Sequence, residues 1–216
     1  ILHATEEEIN RSKIEILSGL MRLRQICDTP KLFMEDYDGE SGKLESLREL
    51  LAQIQDGNHR VLIFSQFRGM LDIIEAELDQ MGMESFKITG STPAKDRQEM
   101  TTAFNQGERS AFLISLKAGG VGLNLTGADT VILVDLWWNP AVEAQAIGRA
   151  HRIGQERNVE VYRLITRGTI EEKIQELQET KRNLVSTILD GAEARSSLSL
   201  EEIREILGIS PESLEK

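Results

Sequence analysis

AFLISLKAGGVGLNLTGADTVILVDLWWNP, residues 111–140, sets two apolar runs on either side of a glycine-rich segment. AFLIS (111–115) and TVILVD (130–135) are short runs rich in apolar and β-branched residues, the form of buried strands. The segment between them carries Gly119, Gly120 and Gly122, residues that let a backbone approach a ligand closely or adopt positive φ. A dinucleotide-binding loop would need a third glycine where Leu125 stands. A P-loop is excluded because GxxxxGK[ST] occurs nowhere in the chain. From these residues alone, a structural turn and a ligand-facing loop are both open.

Outward from this stretch the same alternation repeats. VLIF (61–64) is wholly apolar, as in a strand covered on both faces, and FKIT (86–89) and VEVYRLIT (159–166) complete the strands. A helix is expected over about 67–81, closed by Gly82, and Thr92-Pro93 supplies a cap and a first-turn proline for a helix reaching about Asn105. Asn139-Pro140 opens a short helix that carries QAIGRAHRIGQ, residues 145–155. Strands alternating with helices at this spacing predict an α/β fold: a parallel sheet with helices on both faces and right-handed crossovers.

The flanks are helical. Thr5 and Glu8 have capping-box spacing, and a stripe of Ile14, Leu17, Leu20, Met21 and Leu23 runs on until Asp28-Thr29-Pro30 ends the helix. An acidic, glycine-containing loop (35–42) leads to a helix from about Lys43 to Gln55, ending at Gly57. Thr169–Glu172 forms a second capping box, and its helix runs to about Leu189; Lys181 interrupts the apolar stripe, so a docked amphipathic helix is expected rather than a coiled coil. Ser199 and Glu202 begin a last short helix. The expected divisions are a helical lead-in (1–57), an α/β lobe (58–168) and a helical extension packing on it (169–216).

Composition narrows the function. The 216 residues carry a net charge of −11, which argues against a general basic coat for nucleic acid but not against a local patch or contacts through backbone amides. One cysteine, Cys27, excludes an intrachain disulfide, points to a reducing compartment, and sits in an apolar pattern where a buried thiol is expected. No apolar run reaches the roughly 18 residues of a membrane span, and no signal peptide is apparent. The chain opens on Ile1, which raises the expectation of a piece cut from a longer protein. His151 has no second histidine or carboxylate at ligand spacing, so no zinc site is expected.

Candidate chemistry gathers at the strand ends, where open parallel sheets bind ligands. Arg149 and Arg152, three apart, suit convergence on one polyanion, or else form an ordinary solvated face. Asp135 ends a buried strand. Trp137 or Trp138 could stack on a sugar or base, though at least one is expected to be a core anchor. SQF after the first strand and TGS after the second offer small donors for phosphate.

Taken in order, these stretches resemble the second RecA-like ATPase lobe of the Swi/Snf-type DNA translocases, within superfamily-two helicases. LMRLRQICDTPKLF and SGKLESLRELL resemble the family's lead-in, and RVLIFSQFRGMLDIIEAEL its motif IV. FLISLKAGGVGLNLTGADTVILVDLWWNP resembles motif V with its extension, QAIGRAHRIGQ motif VI, and VEVYRLITRGTIEEKI the closing strand and helix. The resemblance implies a RecA-like, P-loop NTPase-type fold for the lobe.

It also implies roles. Arg149 and Arg152 would be arginine fingers that reach a nucleotide held by the other lobe. Gln145, Gly120, Gly122 and Asn124 would lie near that nucleotide, and Asp129 would brace their loop. Ser65, Gln66, Thr89, Gly90, Ser115 and Lys117 would follow one DNA strand, with Trp138 and Asn139 in a segment that contacts DNA. The substrate would be ATP with Mg2+, bound mainly by a first lobe whose Walker A lysine and acidic motif are not in these residues. The fragment alone would then hydrolyse no ATP. Partners would be double-stranded DNA, the N-terminal lobe of the same protein and a protein–DNA complex to be remodelled, with no membrane. The location would be a prokaryotic cytoplasm, or the nucleus in a eukaryote. A strand-separating helicase lobe is a competing reading, disfavoured by Gln145 where histidine is more usual; a non-catalytic interaction module on this fold is another.

Overall fold

The computed structural model describes residues 6–34, 36–116, 122–151, 158–187 and 199–207. The chain runs α1 (Glu6–Asp28), a 3₁₀ turn (Pro30–Leu32), α2 (Gly42–Asp56), β1 (Val61–Ser65), α3 (Arg68–Gln80), β2 (Ser85–Ile88) and α4 (Ala94–Asn105). It continues through β3 (Ala111–Ser115), β4 (Thr130–Leu133), α5 (Pro140–Ile147), β5 (Glu160–Arg163), α6 (Ile170–Thr187) and α7 (Leu200–Leu207). All five strands are parallel, in the order β2-β3-β1-β4-β5.

Alternating residues of each strand serve opposite faces, and both faces of β1, β3 and β4 are covered, so these strands are apolar but for Ser65, Ser115 and Thr130. Val61, Ile63, Ala111, Leu113 and Ile132 pack against Leu44, Leu47, Leu51 and Ile54 of α2 and Met70, Leu71, Ile74 and Leu78 of α3. Leu62, Phe64, Phe112, Ile114, Val131 and Leu133 face Phe104 of α4 and Ala146 of α5 on the other side. Phe104 meets Phe112 edge-on, with ring centroids 5.2 Å apart. Each fully buried side chain of this size contributes about 1.5–3 kcal/mol. Thus α2, read from sequence as part of a lead-in, supplies four residues to the lobe's own core. A third cluster joins the chain's two flanks: Leu20 of α1, Leu177 of α6 and Ile203 and Ile206 of α7, with Leu17, Trp138 and Ile170 against them.

Local signals explain most boundaries. Ser41 caps α2, its Oγ accepting from Leu44 N, and Gly82, at φ +70°, takes the left-handed position just past α3. The expected box at α7 forms in full: Ser199 N donates to Glu202 Oε2 at 2.7 Å and Glu202 N to Ser199 Oγ at 3.1 Å. Lys181 pairs with Glu202 at 2.7 Å, so the residue that interrupts the α6 stripe adds a polar link to the apolar contact between α6 and α7.

Four expectations are corrected. Thr92 does not cap α4; its hydroxyl accepts from Thr89 N at 3.0 Å and closes the preceding turn, leaving Pro93 at the cap position. β4 leaves the ladder after Leu133, two residues early, because Asp135 turns inward to partners on the β1 side. β5 is a four-residue edge strand rather than eight. Finally, α5 ends at Ile147 with Gly148 as its C-cap, so Arg149 lies in the turn beyond the helix rather than on its face. The capping box expected at Thr5 falls outside the described residues.

Candidate functional site at the strand ends

Because the strands are parallel, the loops at their C-terminal ends share one edge. Along it stand Thr89 and Gly90 (after β2), Ser115 (ending β3), Ser65 and Gln66 (β1), and Asp135 to Asn139 (after β4). Lys117 and Gly120 lie outside the described residues. The turn after β2 is held from below: Arg97 Nε donates to Thr92 O at 2.7 Å and its Nη2 to Gly90 O at 3.1 Å, and Gly90 itself is exposed.

Ser65 and Gln66 face inward. The Ser65 hydroxyl donates to Asp135 Oδ2 at 2.5 Å; Gln66 Nε2 donates to Asp135 Oδ1 at 2.7 Å and to Leu136 O at 2.8 Å. Asp135 also accepts from Gln66 N. Beside it lies Arg24, wholly buried, 3.5 Å from Asp135 Oδ1 and donating to Gln66 Oε1 at 3.1 Å and to Leu136 O. Its guanidinium sits 4.6 Å from the Trp138 ring and 5.5 Å from Phe67. Burial pushes the Asp135 carboxyl up, and Arg24 and the Ser65 hydroxyl pull it back down. Burial likewise lowers Arg24, against the pull of Asp135.

A second buried cluster adjoins the first. Lys43 Nζ reaches Asp28 at 2.8 Å, Glu171 at 2.5 Å and Val134 O at 2.9 Å, while Glu171 accepts from Thr166 N at 2.8 Å. Three carboxylates, Asp28, Asp135 and Glu171, face two cations, Arg24 and Lys43. Burial and the charge of Asp135 raise Asp28 well above the ordinary aspartate range despite Lys43, and Asp28 Oδ2 has no hydrogen-bond partner. With three carboxylates against two cations, burial disfavours charge on Asp28.

The glycine-rich segment and the arginine segment meet through the backbone: Leu125 N donates to Arg149 O at 3.0 Å. Asn105 supports the same segment, its Nδ2 donating to Asn124 O at 2.8 Å and its Oδ1 accepting from Gly127 N at 2.9 Å. Gly122, Asn124 and Gln145 are exposed, whereas Arg149 is only 6% exposed. Arg152 lies outside the described residues, so the expected convergence of two arginines does as well. α5 is anchored by buried Glu143, which accepts from Trp137 N at 3.1 Å, Gln178 Nε2 at 2.5 Å and Arg163 Nε at 3.2 Å. Trp137 packs on the second core and Trp138 on the third, both half-buried; Asn139 caps α5 through Ala141 N at 2.9 Å.

Asp129 stands elsewhere than expected. It lies at the opposite edge of the sheet, accepting from Arg60 N at 3.1 Å and approaching His59 Nδ1 at 3.2 Å, and so braces the entry to β1. Sequence reading gave no role to Arg24, Lys43 or Glu143 and read Glu171 only as part of a capping segment. A trace of their burial is present all the same: Arg24 extends the Leu17–Leu20 stripe, and Lys43 stands four residues before Leu47, in register with the buried face of α2. Among the described residues no group of three His, Cys, Asp or Glu could hold a metal, and no helix is long and apolar enough to cross a membrane.

A five-stranded parallel sheet flanked by helices, with its polar loops gathered along one edge, is a RecA-like lobe. Residues 42–154 match the helicase conserved C-terminal domain. Over 214 residues the chain is 42% identical to YwqA of Bacillus subtilis, which carries the name of an ATP-dependent helicase/translocase; the match covers 96% of this chain and 23% of that protein. Over 190 residues it is 44% identical to the mouse SWI/SNF-related matrix-associated actin-dependent regulator of chromatin subfamily A member 1, covering 82% of this chain and 18% of that protein. The Sulfolobus solfataricus SWI2/SNF2 ATPase core in complex with dsDNA superposes with a TM-score of 0.71 at 35% identity, covering 91% of this chain and 42% of that one. The C-terminal part of the Fun30 ATPase domain superposes at 0.63, also at 35% identity, covering 84% of this chain and 56% of that one. The chain belongs to the helicase conserved C-terminal domain family, as the C-terminal lobe of a Snf2-type helicase-like protein. It spans about a quarter or less of the two curated relatives.

Proposed function

We propose that this lobe is half of an ATP-driven motor that moves along double-stranded DNA and remodels protein–DNA complexes. The observation that carries the reading is the shared strand-end edge, where the β1, β2, β3 and β4 loops stand side by side and the Leu125–Arg149 bond joins the glycine-rich segment to the arginine segment.

On this reading ATP is the substrate and lies between this lobe and a preceding one. Gly120, Gly122, Asn124 and Gln145 close on the nucleotide. Arg149 and Arg152 bring guanidinium groups to the transferring phosphoryl, whose transition state spreads negative charge over its oxygens. Magnesium would be held by the other lobe and neutralise charge on the phosphates. The burial of Arg149 suits a preorganised group that moves little on closure. A site assembled from two lobes leaves either one alone without turnover, so this chain by itself is expected to hydrolyse no ATP.

On the DNA side, Thr89, Gly90, Ser115, Lys117 and Asn139 offer small donors and one cation to phosphates, contacts that track a duplex without reading its sequence. Ser65, Gln66 and Trp138 belong to the same edge; the inward hydrogen bonds of Ser65 and Gln66 fit them to shaping it from behind.

The test is turnover and movement by the full-length protein that contains this chain. Duplex DNA is expected to stimulate ATP hydrolysis, and ATP to drive displacement of a third strand from a DNA triplex without separating the duplex. Stimulation by single strands alone, with duplex unwinding, would favour the strand-separating helicase. No response to nucleic acid would leave the interaction-module reading.

A further inference from the structure

Arg24 stands apart from every assigned role. It lies on α1, outside residues 42–154, yet its side chain is wholly buried beneath the loops after β1 and β4. It touches both: Gln66 Oε1 at 3.1 Å on the first, and Leu136 O, with Asp135 Oδ1 at 3.5 Å, on the second. A planar fork with donors at fixed angles suits bridging two acceptors from different segments, as a lysine ammonium does not. The face of the same guanidinium lies 4.6 Å from Trp138, so the ring's position depends on it as well.

We propose that Arg24 is a positioning residue for the DNA-facing edge: it fixes the β1 and β4 loops relative to each other and thereby makes the lead-in helix part of the DNA site. The inference rests on the proposed motor function. The physical reason is registry. Gln66 and Trp138 come from strand ends 70 or so residues apart in sequence, and what links them through side chains is the Asp135–Gln66–Arg24 knot. Asp135 holds Gln66 from one side and Arg24 holds its amide oxygen from the other, so the Gln66 side chain has one orientation only. A shift of α1 then moves both loops together.

The experiment compares wild type, Arg24→Lys and Arg24→Gln in the full-length protein, measuring ATP turnover against duplex concentration, with thermal unfolding alongside. Lys keeps charge without the fork; Gln keeps one amide donor without charge and serves where Lys is not tolerated. A positioning role predicts that the duplex concentration giving half-maximal stimulation rises about tenfold, while turnover at saturating duplex falls by less than about twofold. It also predicts that Gln66→Ala added to Arg24→Lys raises half-saturation no further, since the two act as one unit. Unchanged half-saturation in a wild type that DNA does stimulate would overturn the inference and leave the proposed function standing. So would loss of turnover in step with thermal stability. A wild type that duplex DNA does not stimulate would overturn the proposed function and this inference with it.

Discussion

The amide of Leu125 donates to the carbonyl of Arg149 across 3.0 Å and so joins the stretch before β4 to the turn after α5 through the backbone. Both are segments that the functional reading brings to the nucleotide. Arg149→Ala and Arg152→Ala in the full-length protein should each lower DNA-stimulated turnover by roughly 10³–10⁵, the usual worth of an arginine finger. Arg149→Ala should also lower the unfolding midpoint, because it empties a buried position. Turnover with single-site variants, paired with thermal unfolding, separates the two effects.

Glu143 holds α5 from beneath through Trp137 N, Gln178 and Arg163. Glu143→Ala removes the acceptor of Trp137 N, takes one of two acceptors from Gln178 Nε2 and leaves exposed Arg163 unpaired, and is expected to cost about 1–3 kcal/mol. Turnover and duplex affinity should both fall, since α5 leads into the arginine segment and Trp137 adjoins Trp138 and Asn139 of the DNA-facing edge. Unchanged duplex affinity would contradict this assignment.

The buried charge cluster predicts a definite pH dependence. Burial raises Asp28 above its unfolded value, so the folded chain holds that proton more tightly. The resulting stabilisation is full below about pH 3.9, the ordinary aspartate value, and is lost as pH rises through the raised native value. Asp28→Asn keeps the neutral form at every pH. Its stability relative to wild type should therefore increase with pH above about 4, and denaturant melts across pH 4–8 measure this. Parallel curves would show that Asp28 carries no such proton. Lys43 behaves differently: Asp28 and Glu171 outweigh burial and raise it, so its contribution persists through neutral pH and is lost only above the ordinary lysine value, about 10.4.

Arg60 offers a contrast from the opposite edge of the sheet. Its guanidinium donates to the carbonyls of Phe104, Glu108, Arg109 and Gly127 and lies 4.0 Å from the Phe104 ring. Arg60→Met should cost about 2–4 kcal/mol of stability through these lost charged hydrogen bonds. Turnover per folded molecule should fall by less than about twofold, because of the carbonyls it holds only Gly127 belongs to the segment that the proposal brings to the nucleotide. A specific loss of turnover would mean that the two edges are coupled.

The helices and strands were readable in the sequence because their causes are local. VLIF, AFLIS and TVILVD announce buried strands, Ser199 caps α7, and Gly82 ends α3. The strand order was not readable, since nothing local in β1 says that β3 and β4 flank it. Nor was the inner side of the site. Arg24 meets Leu136 across 112 positions and Lys43 meets Glu171 across 128, so nothing local to either residue names its partner. Thr92 and Arg149 were misplaced for a smaller reason: the bond from Thr89 N occupies the Thr92 hydroxyl and leaves the α4 cap one residue on, at Pro93, and α5 ends at Gly148, just before Arg149.

The proposed motor hydrolyses ATP only when this lobe completes the site and duplex DNA is bound. The decisive measurement is ATP hydrolysis by the full-length protein, with and without duplex DNA, as wild type and as Arg152→Ala. Duplex is expected to stimulate the wild type strongly, and the variant to lose turnover with DNA binding intact. Turnover that survives the substitution would make the arginine segment structural and overturn its proposed role as a finger.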